Sequence, residues 1–175
     1  MSRKFHSMFE SAISLFVMVL LGWATVPSRA GVPGQIVATT AGSLRGVRQT
    51  VGGAELEIFK GVPYAEPPVG ERRFRAPLAK APWDGVLEAG EFGPSCPQDI
   101  TEVSRYYPEY VVRIPEAARE ISEDCLTLNV YRPLGVAGEP LAVIVFVHGG
   151  SSLTGQGSGY DASALAVRGG VVVLT

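Results

Sequence analysis

Val143-Ile144-Val145-Phe146-Val147-His148-Gly149-Gly150, continued by Ser151-Ser152-Leu153-Thr154-Gly155, is the stretch that decides how this chain is read. Seven consecutive apolar residues, Leu141 to Val147, suit a strand buried on both faces of a sheet. The glycines straight after it free backbone N–H groups to approach a ligand, because no Cβ stands in the way. Such donors suit negative charge, including charge that develops during a reaction.

Working outward toward Thr175, Asp161 suits the cap of a helix running through Arg168, whose charge favours the C-terminal end, and Gly169-Gly170 stops it. Val171 to Leu174 then reads as another buried strand. Strand, loop, helix, strand at this spacing predicts a crossover between parallel strands, hence an α/β class, with a ligand crevice at the carboxyl ends of those strands. His148 to Ser152 falls at one such end. The glycines Gly155, Gly157 and Gly159 lack the Lys and Ser/Thr of a phosphate loop and do not fit dinucleotide spacing.

In the other direction, Leu126 to Tyr131 alternates apolar and polar residues as a half-buried strand does, so the run Leu141 to Val147 is expected to lie deeper. Ile36 to Thr40 and Leu44 to Arg48, joined at Ala41-Gly42, read as a hairpin, and Leu56 to Val62 continues an antiparallel opening. Pro63, Pro67, Pro68, Pro77 and Pro82, with Gly70 among them, exclude long regular structure from Pro63 to Trp83. Further on, Tyr106, Tyr107 and Tyr110 stand among charged residues, and Pro115 to Glu120 reads as the start of a short helix.

Residues 1–30 are expected to be a secretory signal peptide. Arg3 and Lys4 precede an apolar stretch from Ile13 to Ala24, and Ser28-Arg29-Ala30 ends it with small residues at the two positions a signal peptidase reads. That apolar stretch is short of the roughly 20 residues a membrane-spanning helix needs. Removing three basic residues and one acidic residue with it leaves 12 against 16, a net charge of about −4, and no basic run follows Ala30. Nucleic acid and anionic membranes are poor partners for such a surface. Cys96 and Cys125 are the only cysteines. An oxidising destination favours a disulfide between them, with two free thiols as the alternative, and so few soft ligands argue against a metal site.

Several blocks, in the same order, resemble type B carboxylesterases, the carboxylesterase and cholinesterase family. They are Phe59-Lys60-Gly61-Val62-Pro63-Tyr64-Ala65-Glu66-Pro67-Pro68-Val69-Gly70, Arg73-Phe74, Trp83-Asp84-Gly85-Val86, Cys96-Pro97-Gln98, Ser122-Glu123-Asp124-Cys125-Leu126-Thr127-Leu128-Asn129-Val130, and the His148 loop. The resemblance implies an alpha/beta-hydrolase fold of which residues 31–175 are the incomplete N-terminal portion, and ester hydrolysis through a Ser, an acid and a His. It implies oxyanion donors at the second and third residues after the motif His, here the N–H groups of Gly150 and Ser151, with Gly149 permitting the turn. Where the motif has a third glycine this chain has Ser151, whose N–H survives if the turn accommodates a Cβ.

The resemblance also implies pairing of Cys96 with Cys125 and an ion pair between Arg73 and Glu123. It places the triad histidine and acid later in the chain, so neither His148 nor Asp84, Asp99, Glu123, Asp124 or Asp161 is expected in that role. His148 is expected to brace the donor loop. No Trp lies between Cys96 and Cys125, which argues against choline esters. The implied function is a secreted carboxylic ester hydrolase with a small-molecule ester substrate and neither metal nor organic cofactor. The alternative is an inactive cholinesterase-like adhesion or recognition protein on the same fold.

Overall fold

The computed structural model describes residues 31–99, 120–137 and 140–175. Its strands are β1 (Val32–Ala38), β2 (Ser43–Val51), β3 (Ala54–Pro63), β4 (Val86–Glu88), β5 (Thr127–Pro133), β6 (Val143–Val145) and β7 (Val172–Leu174), and α1 (Ser163–Gly169) lies between β6 and β7. Among the described residues they form one mixed sheet in the order β1-β2-β3-β5-β7-β6, with β4 alongside the start of β2. The signal-like leader, the three tyrosines at 106, 107 and 110, and all but Glu120 of the expected short helix lie outside the described residues.

The opening strands follow local turn chemistry. β1 and β2 pair antiparallel from Val32↔Arg48 to Ala38↔Ser43. Thr39 closes the turn: its Oγ1 accepts the N–H groups of Ala41 and Gly42, both at 3.2 Å. β2 and β3 meet across Gly52-Gly53, whose φ values of 59° and 85° belong to the left-handed region that a two-residue hairpin needs. Residues 43–45 of β2 pair in parallel with β4, and residues 47–51 pair with β3.

From Tyr64 to Trp83 the chain is irregular apart from an isolated antiparallel bridge between Ala65 and Ala79 and a 3-10 turn at Gly70–Arg72. Glu66 staples it: its carboxylate accepts the Ala81 N–H at 2.8 Å and Lys80 Nζ at 3.2 Å. The Ala81 amide first, then Lys80, hold that carboxyl below its usual range.

β6 and β7 are parallel, as the strand, loop, helix, strand spacing predicts. α1 starts at Ser163, whose N–H is held by Asp161 Oδ1 at 2.9 Å, and Gly170 closes it at φ 60° with its N–H on Ala166 O. The helix seats Ala162 and Ala166 on Leu56, Ile58, Tyr131 and Val173. On the opposite face, Leu44, Phe59 and Ala89 form a second cluster.

The expected depths of two strands are reversed. β5 lies between β3 and β7 and buries Asn129 and Tyr131, whereas β6 is three residues long, has β7 as its one neighbour among the described residues, and leaves Val145 67% and Val147 83% exposed. Phe146 meets the Tyr160 ring at 4.8 Å, while the rest of that apolar run is little covered among the described residues.

Two buried polar side chains tie the sheet together. Glu57 is 1% exposed on β3, and the register places Arg48 and Arg132 directly across from it on β2 and β5, with guanidinium nitrogens at 3.5 and 3.8 Å. Its Oε1 also accepts the Gln35 N–H at 3.0 Å. One carboxylate thus joins three strands and offsets its own desolvation with two cations. Tyr131 is the other. Burial, and then the nearby Asp161 charge, push its phenol up to about 12. Because the folded value lies above the unfolded value near 10, the stabilisation it gives is complete below pH 10 and is lost as pH rises toward 12. Urea unfolding should therefore show roughly 1 kcal/mol of lost stability by about pH 11 that Tyr131→Phe removes. Identical alkaline slopes in both proteins would contradict this.

Candidate functional site

At the carboxyl ends of β6 and β7 an open cleft of about 380 Å³ is lined by Tyr64, Phe92, Cys125, His148 and Gln156, among others. Neighbouring strands build it by backbone pairing. Asn129 of β5 exchanges backbone bonds with Thr175 at 2.9 and 3.0 Å, and its side chain reaches the Gly61 N–H at 3.1 Å and Thr175 Oγ1 at 3.2 Å. Cys96 and Cys125, bonded to one another with Cα atoms 5.0 Å apart, form part of the wall. Farther out, Arg73 Nε lies 2.7 Å from Glu123 Oε1, two residues before Cys125.

The chain leaves β6 through His148 into a tight turn. Gly150 O accepts the N–H of Leu153 at 2.9 Å and of Thr154 at 3.1 Å. The residues between, Ser151 and Ser152, have φ values of 55° and 59°, the left-handed pair of a mirror-image turn. The glycine this turn requires is Gly150 rather than Gly149. Gly150 has φ 127°, and a Cβ there would collide with the Thr154 carbonyl, whereas a Cβ on Gly149 would meet open space. Two serines in left-handed conformation are costly. Ser151→Gly and Ser152→Gly should each raise stability by roughly 0.5–1 kcal/mol, read as a shift in urea midpoint at constant slope. A lowered midpoint in both would show that the serine conformations carry no strain.

The amides of Leu153, Thr154 and Gly155 are engaged, and those at the start of the turn are not. Among the described residues, the N–H groups of Gly149, Gly150 and Ser151 make no hydrogen bond. His148 Nδ1 lies 2.8 Å from Gly149 O, and since a carbonyl only accepts, this nitrogen carries the proton. No carboxylate among the described residues bonds to the ring. Asp161 is spent on the helix start and Glu123 on Arg73. Among the described residues no group of three His, Cys, Asp or Glu is placed to hold a metal ion.

Sequence reasoning left one contributor without a role. Gln98, quoted in the Cys96-Pro97-Gln98 block, bonds both backbone groups of Gly155 at the far end of the turn. A glutamine in a polar stretch gives no local signal of such a partner.

A mixed sheet whose parallel strand β6 ends at this glycine turn, with a helix packed across one face, is consistent with the N-terminal part of an alpha/beta-hydrolase fold. The chain belongs to the Carboxylesterase family, whose profile matches residues 33–175. It is similar to human "Carboxylesterase 3", 43% identical over 142 residues, covering 79% of this chain and 24% of that protein. "Fatty acyl-CoA hydrolase precursor, medium chain" of Anas platyrhynchos is 43% identical over 143 residues, 79% of this chain and 26% of that protein. "Para-nitrobenzyl esterase" of Bacillus subtilis is 40% identical over 143 residues, 81% of this chain and 27% of that protein. The chain thus spans about a quarter of the length of these curated relatives.

Proposed function

We infer that this chain is the N-terminal portion of an exported serine carboxylesterase and supplies the oxyanion donors of its active site. The observation that carries the reading is the pair of N–H groups at Gly150 and Ser151 that have no partner among the described residues, in a turn that begins at the edge of the cleft. A serine from the family domain outside this chain attacks the ester carbonyl. The C=O electron pair moves onto oxygen, and the two amides, with a third from beside the nucleophile, stabilise the resulting oxyanion. The serine proton passes through a histidine to the departing alkoxide, leaving an acyl-enzyme that water hydrolyses.

His148, with its proton committed to Gly149 O, braces the turn and takes no part in this transfer. The names of the relatives, an acyl-CoA hydrolase and an ester hydrolase among them, support a small acyl ester as substrate. Export rests on the leader pattern of Arg3, Lys4 and Ile13 to Ala24 together with the disulfide, a bond characteristic of oxidising compartments. No helix among the described residues is long and apolar enough to cross a membrane.

The test is hydrolysis of p-nitrophenyl acetate and butyrate by the full-length protein, with covalent labelling by a fluorophosphonate. Turnover abolished by labelling at one serine is expected. A folded protein that neither turns over nor takes the label would favour the adhesion or recognition alternative.

A further inference from the structure

The turn from Gly149 to Gly155 makes its hydrogen bonds within itself and with His148, with one exception among the described residues: Gln98. Gln98 Nε2 donates to Gly155 O at 3.1 Å, and its Oε1 accepts the Gly155 N–H at 2.9 Å. The second hydrogen of the same amide reaches Cys96 O at 3.2 Å. A side chain 57 residues away thus pairs with Gly155 as a neighbouring strand would.

What is fixed at Gly155 is passed directly to the donor residues. Gly155 has φ 109°, and a Cβ on it would stand 2.5 Å from Gly149 O and 2.5 Å from His148 Nδ1, so its backbone lies flat against the start of the turn. Gly150 in turn abuts the Thr154 carbonyl and accepts two amides through its own oxygen. The two stems are in contact: the first continues from β6, held by the Phe146 N–H on Leu174 O, and the second is held by Gln98. Behind Gln98 stands the Cys96–Cys125 bond, which fixes the segment that carries it.

We propose that Gln98 is a positioning residue for ester hydrolysis: by clamping Gly155 through both backbone groups, it sets the direction in which the Gly150 and Ser151 amides point. The proposal rests on the oxyanion reading of those amides. A displacement of about 1 Å in a positioned group costs as much as 100-fold in rate. Gln98→Ala should therefore lower kcat for p-nitrophenyl butyrate by about 10- to 100-fold with KM within about two-fold, since the amides act on the transition state and not on the bound ester.

Gln98→Glu gives a sharper readout. Ionised, the carboxylate keeps an acceptor for the Gly155 N–H but sets a second lone-pair oxygen against two carbonyls. Protonated, it regains one donor and can restore the two-bond pairing with Gly155, though not the bond to Cys96 O. The ratio of Gln98→Glu to unaltered kcat should rise as pH falls from about 8 toward 5, approaching the ordinary range of a glutamic acid. Because the readout is the pH trend of this ratio and does not involve Gln98→Ala, it stays informative where Gln98→Ala fails to fold. Amide hydrogen exchange at Gly155 should accelerate in Gln98→Ala.

A flat pH ratio with full activity would overturn the proposal, and so would loss of Gly155 protection without any loss of kcat. Removing the Ser151 N–H by amide-to-ester replacement separates the two levels. If that replacement lowers kcat while both Gln98 variants leave it intact, the clamp alone is wrong; if neither change matters, the oxyanion reading fails and takes the clamp with it.

Discussion

An ester oxygen in place of the Ser151 amide nitrogen should lower kcat by about 10²- to 10³-fold while KM stays within about two-fold, the loss typical of one oxyanion donor. The replacement, made with the α-hydroxy analogue of serine, keeps the side chain and the backbone path and removes a single N–H. That N–H has no partner among the described residues, so no internal hydrogen bond is lost with it. Ser151→Ala gives the converse control. The hydroxyl has no assigned part in the chemistry, so truncation should leave kcat within a few-fold. The same backbone change at Ser152, whose amide lies one residue past the proposed donors, should be nearly silent. A Ser151 ester with unaltered kcat would remove the assignment, whatever the rest of the family domain contributes.

How much of this was legible beforehand depends on the range over which each signal acts. The Ala41-Gly42 turn, the stop at Gly169-Gly170 and the parallel pair on either side of α1 are written in adjacent residues, and the structure follows them. Gly52-Gly53 carries an equally local hairpin signal that the sequence reading passed over, and β4 after Trp83-Asp84-Gly85 escaped it as well. The depth of β6 was misjudged for a different reason. An apolar run records which surface disfavours water, but not which element covers it, and among the described residues β6 has one sheet neighbour.

Glu57 was invisible for a related reason. In Leu56-Glu57-Ile58 the alternation suggests a solvent-facing carboxylate, yet the register sets Arg48 and Arg132 across from it and β1 passes over it through Gln35. Partners of that kind are properties of register, and register is not a local quantity. The glycine turn after β6 was legible because a bend of this kind demands glycine. The sequence reading puts that demand on Gly149, whereas the dihedral angles put it on Gly150, while Ser151 adopts φ 55°.

The second large effect concerns the Cys96–Cys125 bond, which encloses the segment between them at a sequence separation of 29. In the chain-entropy description, releasing a loop of that size should cost about 3–4 kcal/mol of stability, because the unfolded chain regains the conformations the cross-link denied it. Among the described residues, local pairing offsets little of that. Around the bond the segment is tied by Ser95 N–H to Glu120 O at 2.8 Å and Ser122 N–H to Ser95 O at 2.9 Å, two backbone bonds worth about 1 kcal/mol each. The Arg73–Glu123 pair at 2.7 Å is half-exposed and adds little more. The double replacement Cys96→Ser with Cys125→Ser should lower the urea midpoint at nearly constant slope by an amount equivalent to that range. Dithiothreitol should do the same to the unaltered protein and nothing further to the double variant. Arg73→Ala, by contrast, should cost less than about 1 kcal/mol. A double variant as stable as the unaltered protein would mean that the wall of the cleft is held by packing alone, and that the cross-link contributes nothing to the segment from which Gln98 reaches Gly155.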